Sequence, residues 1–128
     1  MNIQVLKSKL KQLVVTESSK EYEGSIILDP ALIEAANLVP YERVEVNGVD
    51  KKERHVTYVV PGKAGDCIIA GGLAQYFVAG DKIHVNCFGF IDEFHKRRDD
   101  IRQTNKRSEA VQVVYTDADN KITNIAAL

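Results

Sequence analysis

The chain is defined first by what it lacks. It has no tryptophan, one methionine, three prolines and two cysteines in 128 residues. Cys67 and Cys87 each sit alone in an apolar run, without ligand spacing to His55, His84 or His95. That excludes a disulfide framework or a cysteine–histidine zinc cluster as the organising feature and predicts two buried free thiols. No charge of one sign dominates: 17 Lys and Arg stand against 18 Asp and Glu, a net charge of −1. Bulk attraction to nucleic acid or to an anionic membrane is therefore not expected. No apolar run approaches the ~20 residues of a membrane span, and the Lys-rich start has no apolar segment of signal-peptide length. The expected location is the cytoplasm. No glycine-rich stretch leads into Lys-Ser or Lys-Thr, and no Gly-x-Ser-x-Gly pattern occurs, so neither a phosphate loop nor a nucleophile elbow is present.

What remains is a chain with 45% apolar and 27% charged residues, the balance of a globular protein, and long enough to bury a core as one domain, 1–128. Short alternating segments dominate. Ile3 to Val15 predicts a strand, with Leu6, Ser8, Leu10, Gln12 and Val14 on one face and Lys7, Lys9, Lys11, Leu13 and Val15 on the other. Ser18-Ser19-Lys20 reads as a polar turn and Gly24 to Leu28 as a short buried strand. Asp29-Pro30 can cap and open a helix to Ala36, placing Leu32, Ala35 and Ala36 inward and ending at Asn37 and Pro40.

Farther on, Val44-Glu45-Val46 predicts a strand, Asn47-Gly48 a hairpin turn, and Arg54 to Val60 its partner strand. In the partner, Arg54, Val56, Tyr58 and Val60 share one face and His55, Thr57 and Val59 the other. A loop at Pro61 to Asp66 and a core strand at Cys67 to Ala70 follow. Gly71-Gly72 breaks that strand, and a short helix is expected over Leu73 to Val78. After a turn at Ala79 to Asp81, Lys82 to Phe90 alternates as a strand. Ile91 to Gln103 has helical offsets, and its Lys96-Arg97-Arg98 cluster is offset by Asp92, Glu93, Asp99 and Asp100, as on a solvated face. Strands are expected at Ala110 to Tyr115 and Lys121 to Ile125, around a turn at Asp117 to Asn120. Many short strands with few helices predict a mainly β fold, a small β-barrel.

The order of motifs goes further. Lys9, then Tyr22-Glu23-Gly24-Ser25, Arg54-x-x-Thr57-Tyr58, Gly65-x-x-Ile68-Ile69 and Gly80-Asp81 resembles the pyruvoyl-dependent aspartate 1-decarboxylases. The likeness has nearly fixed spacing to about Phe88 and continues more weakly to Tyr115. It implies a double-psi β-barrel with short helices that assembles as a homotetramer. It implies self-cleavage between Gly24 and Ser25 into 1–24 and 25–128, and conversion of Ser25 into a covalently bound pyruvoyl group that forms a Schiff base with the substrate amine. Thr57 then stands as the donor to the Gly24 carbonyl oxygen during processing. Arg54 and Lys9 are candidates for the two carboxylates of aspartate, and Tyr58 is the candidate proton donor. Gly72, Leu73 and Ala74 correspond to a substrate wall. The product would be β-alanine, a precursor for pantothenate synthesis, and a maturation-factor protein is a possible partner; neither nucleic acid, membrane nor metal is implied.

Two positions depart from the family pattern. Asn47 stands where a Trp is usual. Gly71-Gly72-Leu73-Ala74 replaces an Asn-Gly-Ala-Ala segment and is shorter by two residues. These departures leave open a different amino acid as substrate, and a barrel that never cleaves is the third alternative.

Overall fold

The computed structural model describes residues 1–23, 25–92 and 111–128. Its strands are β1 (Asn2–Val14), β2 (Glu17–Ser19), β3 (Ser25–Leu28), β4 (Arg43–Gly48), β5 (Arg54–Pro61), β6 (Cys67–Ala70), β7 (Lys82–Asp92), β8 (Gln112–Thr116) and β9 (Ile122–Ala127). One α-helix, α1 (Pro30–Ala35), follows β3, and a 3-10 turn (Gly71–Gln75) follows β6. The strands form one mixed sheet in the order β2-β6-β3-β5-β4-β7-β1-β8-β9. It surrounds a core that draws Leu10, Leu13, Ile26, Leu28, Leu32, Val46, Val59, Ile69, Phe77, Val85 and Val114 from nearly every element. This is the mainly β barrel that the short alternating segments predict.

Local chemistry explains most of the elements. The Asp29 carboxylate accepts a hydrogen bond from the Ala31 N–H at 2.8 Å, and Pro30 occupies the first helical position. Both satisfy the requirements of a helix start. The helix stops where Asn37 turns to φ 56°, a left-handed angle that Asn tolerates better than most residues. Leu32 and Ala36 are fully buried and Ile33 nearly so, whereas Ala35 packs against the core only in part. Cys67 and Cys87 are buried free thiols, as expected.

The structure revises five local readings. The outward-facing parity of β1 is not constant. Ser8 and Leu10 are buried, and then Leu13 and Val15 are, because Gln12 is passed over between the Lys11–His84 and Leu13–Ile83 pairs. That bulge shifts the inward side by one residue, so Leu13 lies inside although it shares parity with the lysines. Asn47-Gly48 is not the hairpin turn: both residues belong to β4, and the Gly48 N–H closes the loop onto the Glu53 carbonyl at 2.8 Å. A Cβ on Gly48 would lie 2.8 Å from the Lys51 carbonyl oxygen, so the close approach of the loop calls for glycine there. Ser18 and Ser19 pair with β6 as β2 instead of turning. The Leu73 to Val78 helix is a 3-10 turn that starts at Gly71 (φ 65°) and ends at Gln75. Finally, β7 extends through Ile91 and Asp92; the remainder of the expected 91–103 helix and its basic cluster lie outside the described residues.

Candidate active site

The site forms where one ladder ends. β3 runs parallel to β5, but their pairing covers only Ile26–Leu28 against Val59–Pro61. Upstream of Val59, β5 keeps β4 on one side and has an open edge on the other. β6 pairs with β3 from the opposite side and sets Ala70 against Ser25. The chain then turns sharply at Gly71, so the 3-10 turn forms a wall facing the open edge of β5. The resulting cleft of about 410 Å³ is lined by His55, Val56, Thr57, Tyr58 and Ala70, and across from them by Gly72, Leu73, Gln75 and Tyr76.

Ser25 does not itself line this cleft, but it is the β3 partner of Ala70, which does. It is 3% exposed and immediately precedes Ile26, the first residue of β3 to pair with β5, at Val59. Gly24, the other half of the expected scissile bond, lies outside the described residues. Thr57 and Tyr58 both line the cleft, although strand alternation points them to opposite faces. The open edge accounts for this, because residues from either face can border a space that no neighbouring strand fills. Gly72 and Leu73 line the cleft. An added Cβ on Gly72 would meet nothing within 4 Å. Ala74 packs against the core, and its carbonyl accepts a hydrogen bond from the Ser18 hydroxyl at 3.3 Å.

The structure does not bring the two carboxylate-binding candidates into the cleft. Arg54 is on the outer face of β5, with its side chain 74% exposed. Lys9 lies on β1, three strand steps from β5 through β7 and β4, where it pairs with Asn86. Burial, reinforced by Lys11 and then Lys9, holds the His84 imidazole below its usual titration range. In register, His84 stands between Lys11 on β1 and Asn47 on β4, and Asn47 stands against Arg54. A polar row thus crosses the outer face of the sheet.

Sequence reasoning assigned no role to His55 and Tyr76. Their rings stack with centroids 4.0 Å apart, and the His55 Nε2 lies 2.6 Å from a Glu53 carboxylate oxygen. Phe77, fully buried, meets the His55 ring edge-on at 6.2 Å. The shared parity of His55 and Thr57 was a usable signal for the first residue. The folding of the Gly71–Gln75 turn over β5, which supplies Tyr76, was not visible in the pattern.

Comparison with known proteins identifies the family. The aspartate decarboxylase family model matches residues 1–123. The chain belongs to the aspartate decarboxylase family. Among relatives, the aspartate 1-decarboxylase of Clostridium novyi is 34% identical over 128 residues, covering 98% of this chain and 96% of that protein. The aspartate 1-decarboxylase of Persephonella marina is 38% identical over 120 residues, covering 92% and 79%. That of Salinibacter ruber is 33% identical over 130 residues, covering 100% and 82%. Family membership extends over the described strands on both sides of the cleft, from β1 to β8, and not only over the Glu23-Gly24-Ser25 segment.

Proposed function

We propose that this protein is a self-processing cytoplasmic enzyme that decarboxylates L-aspartate to β-alanine and carbon dioxide, with a pyruvoyl group made from Ser25. The observation that carries the reading is that a buried Ser25 pairs with Ala70, which lines the same cleft as Thr57 and Tyr58. The donor set fits such a group: the Ser25 hydroxyl next to the cleft-lining Ala70, a second hydroxyl on Thr57, and a phenol on Tyr58.

In maturation, the Ser25 hydroxyl attacks the Gly24 carbonyl and the amide becomes an ester. Elimination frees the Gly24 carboxylate and leaves dehydroalanine. Water then releases ammonia and leaves a pyruvoyl N-terminus, separating 1–24 from 25–128. Thr57 donates to the Gly24 carbonyl oxygen as negative charge develops there. Once formed, the pyruvoyl carbonyl supplies an electron sink for the carbon that loses carbon dioxide. Tyr58, 38% exposed at the cleft, holds the proton returned to that carbon. Arg54, outside the cleft but on the face of β5 that Tyr58 shares, engages a substrate carboxylate that projects toward that outer face, and the Gly72–Leu73 wall limits the cleft. At about 410 Å³ the space suits a small amino acid.

Lys9 serves the second carboxylate from another copy of the chain in a homotetramer. Two observations support assembly. Lys9 and the cleft lie three strand steps apart within one chain. The outer face of β4, β5 and β7 exposes Val56, Tyr58 and Phe90, beside an open groove of about 680 Å³ lined by Glu42, Arg43, Phe88 and others. So much apolar surface on one sheet face fits a protein partner.

Intact mass spectrometry and a carbon dioxide release assay test this function together. The expected outcome is two chains that break between Gly24 and Ser25, a pyruvoyl mass on the second, and β-alanine formed from L-aspartate. Ser25→Ala should fold and remain a single inactive chain. A wild-type chain that stays whole, or one that cleaves but leaves L-aspartate untouched, would refute the assignment. Running the time course with and without host-cell extract decides whether a maturation partner is required.

A further inference from the structure

We infer that Asn47 is a positioning residue that presents the Arg54 guanidinium end-on to a substrate carboxylate, with Glu45 as its anchor. The inference rests on the reading of Arg54 as the carboxylate ligand and adds how the arginine is aimed. Asn47 and Arg54 are cross-strand partners in the β4–β5 hairpin. The Arg54 Nε donates to Asn47 Oδ1 at 2.8 Å, and the Asn47 Nδ2 donates to Glu45 Oε1 at 3.2 Å. The same Glu45 oxygen accepts from Asn86 Nδ2 at 3.3 Å and lies 3.7 Å from Arg54 Nε.

The amide of Asn47 is therefore fixed at both ends, its oxygen toward the arginine and its nitrogen toward the carboxylate. Glu45 also orients Asn86, whose buried Oδ1 has no hydrogen-bond partner among the described residues. Glu45 is only 23% exposed at its side chain, whereas Arg54 is 74% exposed. The anchored end of the network is thus sheltered, and the guanidinium is the end that faces outward.

A guanidinium can receive a carboxylate across its Nε edge or across its two terminal nitrogens. Asn47 occupies the Nε edge, and the Glu45 charge beside it repels a second carboxylate there. Only the terminal pair remains for a ligand. Without Asn47 the flexible side chain would sample other rotamers and would have to be ordered when substrate binds. The effect should therefore fall on binding and not on the chemical step.

The test compares wild type, Asn47→Ala, Arg54→Lys and the double variant in KM and kcat for L-aspartate, and in affinity for succinate by titration calorimetry. Succinate is a dicarboxylate without the reacting amine, so its binding does not depend on maturation. Asn47→Ala should raise KM and the succinate Kd about five-fold, the scale of one charge-assisted hydrogen bond discounted for an exposed guanidinium, with kcat within about two-fold. In the Arg54→Lys background, where no Nε exists to hold, Asn47→Ala should have no further effect. An equal effect in both backgrounds, a change confined to kcat, or a shift below about two-fold would overturn the role of Asn47. If wild type neither cleaves nor turns over aspartate, the decarboxylase reading fails, while the succinate series still decides the aim of Arg54.

Discussion

Thr57→Val separates chemistry from folding more cleanly than any other change at the site. Thr57 is half-buried on β5 against Val44 of β4 and lines the cleft. Valine replaces the hydroxyl with a methyl of similar size and keeps the β-branching that suits a strand. The fold should therefore change in stability by no more than about 1 kcal/mol. Processing should change far more. Loss of one preorganised donor to a developing oxyanion costs about 3 kcal/mol of barrier, and at 1.36 kcal/mol per decade this is roughly a hundred-fold slower cleavage. The assay is the fraction of intact chain by mass spectrometry over a time course, with the thermal midpoint measured on the same sample. A Thr57→Val chain that matures within about three-fold of the wild-type rate would remove the hydroxyl from the mechanism. Slow cleavage accompanied by a collapsed melting transition would assign the effect to folding instead.

The remaining predictions address other parts of the molecule. Tyr58→Phe should cleave as wild type but lose turnover by about two orders of magnitude, the scale of a missing general acid; full turnover, measured as carbon dioxide release, would return Tyr58 to a packing role beside Tyr41, whose ring is 6.0 Å away. The Cys67 thiol is pushed up to about 12 by burial and then by Asp66, and the Cys87 thiol up to about 11, mainly by burial. Neither should react with a thiol reagent until the protein unfolds, so rapid labelling of native protein would contradict the buried placement. His84 titrates below its ordinary 6.5 because of burial and then of Lys11 and Lys9. The unfolded chain therefore takes up that proton first: stability is fullest above about pH 6.5 and declines as pH falls through the folded value, and His84→Gln should flatten this component of the urea-midpoint profile. An unchanged pH slope in the variant would exclude His84 as its source.

Much of this protein could be read before any fold was known, because the informative signals were local. Alternation exposed the strands, Asp29-Pro30 the start of α1, and isolated apolar settings the buried thiols. The ordered motifs around Gly24-Ser25 pointed to the family that the comparison over residues 1–123 establishes. The errors share one cause. Asn47-Gly48 has the composition of a turn, yet the hairpin closes one step later, where Gly48 approaches Lys51 and the Asn47 side chain is drawn to Arg54. Likewise the bulge at Gln12 reverses the parity of β1 for the sake of Leu13 and Val15 in the core.

The sequence by itself determined which residue types are available and the order in which they occur: a serine after glycine, a threonine and tyrosine side by side, an arginine three positions earlier. Only the tertiary structure decided which of them meet. The early end of the β3–β5 ladder opens the edge of β5, so Thr57 and Tyr58 border one cleft despite opposite parity, together with Ala70, the strand partner of Ser25. The strand order leaves Lys9 three steps away. Strand pairing is a long-range choice made by the packing of the whole core, and a local pattern with a period of two carries no record of where a neighbouring strand stops.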